Sequence, residues 1–346
     1  MLVLDSLKHE INKHKVVSFD LFDTLLLRPY VKPADLFLHI EKLKNELGFS
    51  VSRIQAEQKA RKVHSNQEDI TLDDIYNEIE EKYKYLKQFE IDLETQVLQP
   101  NKEILEIFEY ARQQGKKVII TSDMYLNKHI VENILDLKGF RGYDKLYLSS
   151  ELLKTKASGS LYQFIIDDLK VEAKDIIHIG DNKRDDVNKA KENGLDAVYY
   201  QKISEKFLTR PENKKFRLLY NENQNNIDIS IILGMIILKD HDKTDSNVLN
   251  YWKEFGYNIG GAVCYGFTKF AMEEARKNNI SDLFFIARDG YTLNKIYDII
   301  KGDCDIKNHY VYVPRILKIL CLLDYNNNVE KLDALFAKFA SLSDEF

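Results

Sequence analysis

Apolar residues along the chain follow two periods, and the change of period marks the predicted elements. The apolar run at 16–19 ends at Asp20, a pattern typical of a buried parallel strand that carries a carboxylate to the edge of a sheet. From Asp35 to about residue 99, apolar residues recur at helical spacing instead, and Pro33 and Gly48 are start and stop signals for the first helix. The pattern predicts an all-helical insert after the first strand.

Strand-like and helix-like stretches alternate between residues 102 and 200. Predicted strands end at Asp123, Leu148, Asp181 and Tyr200, with helical stretches between them. This alternation predicts a parallel sheet with helices on both faces, so the fold class is α/β with a Rossmann-like core. A mainly helical C-terminal part follows, with one more strand–turn–helix unit around 282–300.

The changes of pattern divide the chain into predicted parts. Residues 1–28 and 100–205 form the α/β core, and 29–99 form a helical cap. Residues 206–226 are polar and are expected to be a linker, and 227–346 form a C-terminal domain whose role the sequence does not indicate. Whether the natural chain continues beyond its last residue stays open.

Charge and cysteine content narrow the function classes. The 50 basic and 55 acidic side chains give a formal net charge of −5, so no basic field favours nucleic acid. The three cysteines lie far apart without metal-ligand spacing, which fits a reducing cytoplasm. The longest apolar run, Ile229 to Leu238, has about half the ~20 residues that a membrane-spanning helix needs. We therefore expect a cytoplasmic protein without a membrane span, whose oligomeric state stays open.

Functional side chains follow the predicted strands at their carboxyl ends. They are Asp20, Ser122 with Asp123, Lys156 in a following loop, and the group Asp181, Asp185 and Asp186. A carboxylate nucleophile, hydroxyl donors, a cation and an acidic cluster suit phosphoryl transfer, because Mg²⁺ and a lysine offset the charge of a phosphate. We expect Mg²⁺ as the cofactor, held by Asp20, the backbone carbonyl of Phe22 and Asp181, and a small phosphorylated molecule as the substrate.

Four motifs together make the chain resemble the haloacid dehalogenase (HAD) superfamily of hydrolases, over about residues 15–202. The first motif is the stretch from Asp20 to Thr24, and the second is Ser122. The third is Lys156, which lies 25 positions before Asp181, the spacing of the branch whose helical cap follows the first motif. The fourth is Asp181 with Asp186.

The resemblance implies a phosphatase-like mechanism with an aspartyl-phosphate intermediate on Asp20. It adds Asp186 to the Mg²⁺ ligands and makes Lys156 a catalytic cation. It also implies a set of phosphate-binding residues: Thr24, Ser122, Asp123 and Lys156.

Several of these residues have a plain structural alternative. Ser122 also suits the capping of the next helix, and Lys156 is preferred over Lys154 only through its spacing. One residue of the pair Asp185–Asp186 is expected to be a helix N-cap. His178 lies within an apolar strand and is expected to be a hydrogen-bonded core residue.

One position departs from the phosphatases of the superfamily. They carry a second Asp, the general acid for the leaving group, where this chain has Phe22. Asp23 is the candidate catalytic substitute, although neighbouring side chains on an extended segment point to opposite faces. Loss of a general acid costs ~10²–10⁴ in rate, so a weakly active Mg²⁺- and phosphate-binding module, or cleavage of a carbon–halogen or carbon–phosphorus bond, stays an alternative. Asp181 and Asp186 favour phosphoryl transfer over the dehalogenase reaction, which needs no metal.

Longer stretches resemble a narrower group of large bacterial HAD-like proteins that are associated with surface-polysaccharide or glycosyl-transfer functions. They are residues 18–28, 122–126 and 287–291. This resemblance implies a context in glycan biosynthesis, with sugar phosphates as one expected substrate group. Arg28, at the end of the first stretch, is expected either to contact a substrate anion or to pair with a carboxylate of the cap.

Overall fold

The structure, a computed structural model, describes residues 2–242 and 251–313, and each range belongs to a separate compact unit. The part of the predicted C-terminal domain from residue 314 onward, including Cys321, lies outside the described residues.

Helices make up most of the first unit. Its α-helices are α1 (Leu2–Lys13), α2 (Asp35–Lys44), α3 (Phe49–Val63), α4 (Leu72–Glu78), α5 (Lys87–Val97), α6 (Lys102–Gln113), α7 (Lys128–Leu137), α8 (Ser149–Leu152), α9 (Ser160–Leu169), α10 (Lys189–Glu192), α11 (Ile203–Leu208), α12 (Lys214–Glu222) and α13 (Ile227–His241). Its strands are β1 (Val16–Phe19), β2 (Leu26–Leu27), β3 (Gln99–Pro100), β4 (Lys117–Ser122), β5 (Lys145–Leu148), β6 (Ile176–Gly180) and β7 (Asp196–Tyr199).

The second unit contains a helical stretch and a parallel strand pair. Its elements are α14 (Tyr251–Phe255), α15 (Gly261–Lys277), β8 (Asp282–Ile286), α16 (Gly290–Ile300) and β9 (Lys307–Val311). Strands β8 and β9 pair in parallel, and Met272, Phe285 and Tyr297 form a buried core. None of the helices in the described ranges has both the length and the apolar character that crossing a bilayer requires.

A parallel sheet in the order β5-β4-β1-β6-β7 forms the centre of the first unit. Strand β1 lies in the middle, and every one of its residues is buried. Val17 of β1 belongs to one core cluster with α1, α6 and α7, whereas Val16 belongs to another with α9. Because successive strand residues point to opposite faces, helices cover both sides of the sheet. The α/β prediction is confirmed, and the carboxyl end of β1 lies at the centre of one sheet edge.

The insert between β2 and β3 is helical, as its apolar spacing predicts, and contains α2 to α5. Strands β2 and β3 pair antiparallel at its base. Helix α4 follows the N-cap residue Thr71, whose hydroxyl accepts from the Asp74 N–H while the Asp74 carboxylate accepts from the Thr71 N–H. Inside the insert, the fully buried Arg53 donates to both carboxylate oxygens of Glu90 at 2.9–3.2 Å.

Residues 206–226, expected from their polarity to be a linker, lie largely in helices of the first unit. Phe207 and Tyr220 join Leu27 and Leu233 in a buried cluster, so the polar residues cover only the outer faces of α11 and α12. The compact unit continues through α13, beyond the expected start of the C-terminal domain at residue 227. Helix α13 packs so closely on the chain entering the insert that a Cβ on Gly234 would lie 2.3 Å from the Pro29 backbone.

Candidate active site

Three neighbouring strands of the sheet end at predicted functional groups. Asp20 directly follows β1, Ser122 is the last residue of β4, and Asp181 directly follows β6. The Asp20 N–H donates to the Ile179 carbonyl at 2.9 Å, which continues the β1–β6 hydrogen bonding to the sheet edge. All three side chains are buried. The structure therefore brings together residues that are widely separated in the sequence.

A tight turn after β6 adds a third carboxylate to this edge. The Asp186 carboxylate accepts from the Asn182 N–H at 2.8 Å, and a Cβ on Gly180 would lie 2.4 Å from it, so glycine is required there. Asp20, Asp181 and Asp186 each offer one oxygen, and these oxygens lie within 4.8 Å of one another. A cluster of carboxylate oxygens suits a hard divalent cation such as Mg²⁺.

The N-cap of this turn is Asn182 and neither of the two residues expected from the sequence. Its side-chain oxygen accepts from the N–H groups of Arg184 and Asp185 at 2.9 and 3.2 Å. The expectation that Asp185 or Asp186 caps the helix is therefore wrong. Asp186 is left to face the other carboxylates.

Lys156 joins two of the three carboxylates. Its Nζ lies 2.5 Å from an oxygen of Asp20 and 2.6 Å from an oxygen of Asp186, and the side chain is almost completely buried. Burial alone would lower the pKa of Lys156, but the attraction of Asp186 and Asp20 outweighs it and raises the pKa well above its ordinary range. The ammonium group is therefore a permanent positive charge beside the predicted nucleophile.

The two carboxylates that share Lys156 have opposite pKa shifts. Burial raises the pKa of Asp20 well above its ordinary range, and repulsion from Asp186 and Asp181 adds to the effect of burial. Burial also acts on Asp186, but the attraction of Lys156 and the hydrogen bond from His178 outweigh it and hold the pKa of Asp186 well below its ordinary range. In the absence of a metal ion, Asp186 is the ionised partner of Lys156, whereas the raised pKa of Asp20 means that additional positive charge would favour its ionised form.

His178 is a buried core residue, as expected, and it supports the acidic cluster from below. Its Nε2 lies 3.2 Å from Asp186 Oδ1 and its Nδ1 lies 2.7 Å from Ser18 Oγ. Burial lowers the pKa of His178, so the ring is neutral, with Nε2–H donating to Asp186 and Nδ1 accepting from Ser18. Ser18 Oγ lies 2.9 Å from Thr121 Oγ1, so this series of hydrogen bonds continues to the neighbouring strand β4.

Asp123 positions the loop that carries Lys156. Its two carboxylate oxygens accept from the N–H groups of Lys156 and Ala157 at 2.8 and 3.2 Å. The carboxylate of Asp123 is therefore used within the protein, which differs from its predicted role in phosphate binding. Phosphate binding by Ser122 stays a prediction, and Thr24 has a buried hydroxyl oxygen without a hydrogen-bond partner among the described residues.

Phe22, at the position of the missing acid, stacks against Arg28. The guanidinium carbon lies 4.1 Å from the centre of the Phe22 ring, and Arg28 donates to Glu94 of α5 at 2.7 Å. Of the two roles expected for Arg28, the structure shows pairing with a carboxylate of the helical insert. A phenyl ring cannot exchange a proton, so the side chain at this position cannot act as an acid or base.

Asp23 adopts a left-handed backbone conformation with φ of +59° and pairs with Lys202. The Lys202 ammonium lies 3.2 Å from Asp23 Oδ2 and 2.9 Å from Asp181 Oδ2, so it bridges the two carboxylates. Asp23 therefore lies on the Asp181 side of the cluster. Its role as a substitute acid stays a prediction.

Sequence reasoning missed Lys202, Glu94 and Glu68, which contacts the Lys156 loop. Lys202 follows the predicted strand that ends at Tyr200, so its place at the carboxyl edge of the sheet was an available signal. The two glutamates lie in the insert. A single sequence does not indicate which charged side chains of the insert form contacts within the protein and which face solvent.

A family model for haloacid dehalogenase-like hydrolases matches residues 14–194, which is more than half of the chain. The matched range contains the acidic cluster, Lys156 and the helical insert. A search of the curated proteins gave no match.

Several solved structures are similar to part of this chain. A haloacid dehalogenase family enzyme from Bacteroides thetaiotaomicron, in complex with magnesium and inorganic phosphate, is 16% identical, covers 55% of this chain and 95% of its own, and gives a TM-score of 0.42. A predicted phosphoglycolate phosphatase from Haemophilus somnus is 18% identical over 54% of this chain and 85% of its own, with a TM-score of 0.39. L-2-haloacid dehalogenase from Xanthobacter autotrophicus is 14% identical over 60% and 82%, with a TM-score of 0.42.

Proposed function

The chain belongs to the haloacid dehalogenase-like hydrolases, and on that premise we propose that its first unit is a Mg²⁺-dependent phosphohydrolase or phosphotransferase that acts on a small phosphorylated metabolite. Sugar phosphates are the first substrates to test. The observation that carries the proposal is the convergence of Asp20, Asp181 and Asp186 beside the buried ammonium of Lys156. An isolated cluster of acids would repel a phosphate, whereas two ammonium groups, those of Lys156 and Lys202, already lie beside this cluster, and its carboxylates suit a metal cation as well.

Asp20 is the nucleophile in this proposal. One of its oxygens attacks the phosphorus, the bond from phosphorus to the leaving oxygen breaks, and an aspartyl phosphate forms. Water, or the hydroxyl of an acceptor molecule, then attacks the phosphorus and regenerates the carboxylate. Lys156 stays charged through both steps and offsets the negative charge that builds up on the phosphoryl oxygens.

Carboxylate oxygens of Asp20, Asp181 and Asp186 would hold Mg²⁺, with the backbone carbonyl of Phe22 as a further predicted ligand. A bound Mg²⁺ supplies positive charge that reduces the repulsion between a carboxylate nucleophile and a phosphate dianion. The raised pKa of Asp20 fits this arrangement, because added positive charge favours the ionised, nucleophilic form.

The test is phosphate release from sugar phosphates, nucleotides and p-nitrophenyl phosphate, with Mg²⁺ and with a chelator in its place. We expect release that requires the metal and differs strongly between substrates. The same rate with and without the metal would contradict the proposal.

The stacking of Phe22 against Arg28 favours a second candidate, a module that binds Mg²⁺ and phosphate without useful turnover. The leaving group then has no proton donor at position 22, and the activity would belong to the second unit, in the proposed context of glycan biosynthesis. Binding of inorganic phosphate with Mg²⁺ but no turnover on any substrate would support this candidate. Release of halide or cleavage of a phosphonate would support the third expectation, a different bond broken by the same nucleophile.

A further inference from the structure

One short segment of the helical insert, residues 68–72, hydrogen-bonds to two of the loops that carry predicted phosphate-binding residues: the loop of Lys156 and the loop after β4, which begins with Asp123. At its start, Glu68 Oε2 lies 2.9 Å from Thr155 N, 2.6 Å from Ser158 Oγ and 2.5 Å from Ser160 Oγ. One carboxylate oxygen of the insert therefore accepts hydrogen bonds from several residues along the loop that contains Lys156.

The Lys156 loop is consequently held from two sides. Asp123, which follows β4 of the core, accepts from the N–H groups of Lys156 and Ala157, and Glu68 accepts from the residue just before them, Thr155. The Asp123 contacts belong to the core alone. The Glu68 contacts exist only when the insert lies against the core.

The rest of the segment bonds to the loop after β4. Buried Asp69 accepts a hydrogen bond from Ser149 Oγ, and the same Ser149 oxygen accepts from the Met124 N–H at 2.8 Å. Two residues further on, the Leu72 N–H donates to the Tyr125 carbonyl at 2.8 Å. Met124 and Tyr125 lie close behind Ser122 in the chain, so this loop is also fixed by the insert.

The contacts of Glu68 are polar and lie at the protein surface. Its partial burial raises the pKa, but the hydrogen bonds from Ser158, Ser160 and Thr155 outweigh burial and hold the pKa of Glu68 below its ordinary range. The carboxylate is thus charged at neutral pH, and its hydrogen bonds are of the stronger, charge-assisted kind. Because they bury little apolar surface, they can form and break without unfolding the core.

We propose that Glu68 is a positioning residue through which the helical insert fixes the Lys156 loop against Asp20. When the insert lies on the core, Glu68 fastens Thr155, Ser158 and Ser160, and the Lys156 ammonium is held at the nucleophile. When the insert moves away, the loop keeps its Asp123 contacts and the ion pairs of Lys156 but loses the hydrogen bonds to Glu68. This inference rests on the proposed function for its consequence in catalysis, whereas the loop fastening itself is independent of it.

The test compares Glu68→Ala and Glu68→Gln with the wild type and with a matched control, Glu81→Ala. Glu81 is an exposed glutamate of the same insert, and its ion pair within the described ranges, with Lys84, lies inside the insert. Hydrogen exchange is followed for a peptide over residues 153–160 and, as an internal reference, for a peptide over β6. The affinity for inorganic phosphate with Mg²⁺ and the values of kcat and KM are measured on the same variants, well below their unfolding midpoints.

We expect Glu68→Ala to exchange about tenfold faster over 153–160 with the β6 peptide unchanged, because its local opening becomes more frequent. Misplacement of Lys156 should also weaken phosphate binding about fivefold and lower kcat/KM about tenfold, with an intermediate effect for Glu68→Gln, which keeps one acceptor oxygen. The Glu81→Ala control should match the wild type. A lower unfolding midpoint with unchanged kcat/KM would mean that Glu68 is merely structural and would overturn the proposal.

The proposal would also be overturned if hydrogen exchange over residues 153–160 were as slow in Glu68→Ala as in the wild type. Failure of the proposed function is distinguishable, because the wild type would then release no phosphate from any substrate. In that case, faster loop exchange together with weaker phosphate binding in Glu68→Ala would still support the fastening of the Lys156 loop by the insert.

Discussion

At the scale of single residues, the main feature of the site is that two lysines pair with four carboxylates. Asp20 and Asp186 share Lys156, and Asp181 shares Lys202 with Asp23. Burial removes the solvent that would otherwise stabilise these charges, so each added or removed charge has a large effect. The next three predictions change one charge at a time.

Replacing Asp20, the proposed nucleophile, should stabilise the metal-free protein at neutral pH. Because the pKa of Asp20 is raised in the folded state, ionisation of Asp20 opposes folding: the cost is absent below the unfolded-state pKa of about 3.9 and grows as pH rises through the folded-state value. Asp20→Asn should therefore unfold at a higher temperature than the wild type at neutral pH, and the difference should vanish near pH 4. Circular dichroism without Mg²⁺ measures it, with Asp167→Asn on the exposed face of α9 as the control. A lower midpoint at neutral pH would refute the raised pKa.

Restoring a carboxyl group at position 22 should raise turnover. Phe22→Asp supplies an acid two residues after the nucleophile, and general acid catalysis contributes ~10²–10⁴ in rate, so we expect kcat to rise at least about tenfold on substrates with poor leaving groups. Phe22→Leu removes the same ring without adding an acid and should not gain. If both variants lose activity equally, protonation of the leaving group does not limit the reaction.

Lys202 should weaken metal binding, because its ammonium lies 2.9 Å from Asp181. Lys202→Met removes this positive charge, and we expect Mg²⁺ to bind about tenfold more tightly by isothermal titration calorimetry. Lys183→Met is the control, because it also removes a lysine charge but Lys183 lies over the Tyr199 ring and, within the described ranges, forms no ion pair with a carboxylate of the cluster. A weaker affinity in Lys202→Met would show that the lysine supports the metal site, and an unchanged affinity would show that its charge does not affect the metal; either result would contradict the prediction.

Residue identities at strand ends could be predicted from the sequence because buried strands are short and apolar and stop at polar groups. Asp20, Ser122 and Asp181 belong to this class, and the structure places them at one edge. Lys202 could not be paired with Asp23 from the sequence, because the two are 179 positions apart and nothing in their neighbours indicates the contact. The contact of Asp123 with the Lys156 loop could not be predicted from the sequence either, because it depends on which backbone N–H groups of that loop face the Asp123 carboxylate.

At the scale of elements, the helical insert is held together by a buried ion pair as well as by apolar packing. Arg53 is fully buried, and besides its bonds to Glu90 it lies over the rings of Phe37 and Tyr125 at 4.5 and 4.9 Å. Tyr76 also donates to Glu90 at 2.7 Å. The insert therefore has a polar centre, and removing one partner of the ion pair should greatly lower the stability of the fold.

Arg53→Ala should destabilise the protein by about 3–5 kcal/mol, because it leaves the Glu90 carboxylate buried and unpaired. The double variant Arg53→Met with Glu90→Leu removes both charges and should recover most of this loss. Urea unfolding of both variants at neutral pH measures the difference. Equal loss in the single and double variants would show that packing around Arg53, and not its charge, carries the stability.

Elements were predictable where periodicity reports burial. The helical stretch that begins at residue 102 and the strands β4, β5 and β6 match the structure because each has one apolar face or is apolar throughout. Helix α1 was missed although Leu7 and Ile11, four residues apart, are its buried positions. Helix α12 was read as a linker because most of its residues are polar, whereas two aromatic residues, the buried Tyr220 and the partly buried Phe216, anchor it.

At the scale of the whole molecule, the candidate chemistry lies in the first unit. The acidic cluster, Lys156, the helical insert and the segment over 206–242 all belong to it. The second unit has its own parallel strand pair and core around Phe285 and Tyr297. We therefore assign the proposed catalysis to the first unit, with Asp20 as the residue that accepts the phosphoryl group.

The most direct test of that claim is phosphate release by the wild type and by Asp20→Asn, on the best substrate and with Mg²⁺ present, together with peptide mapping of acid-quenched protein. We expect the wild type to turn over and to carry a phosphoryl group on the peptide that contains Asp20. Asp20→Asn should show neither. Equal phosphate release by the two proteins would contradict the account, because the reaction would then proceed without this carboxylate.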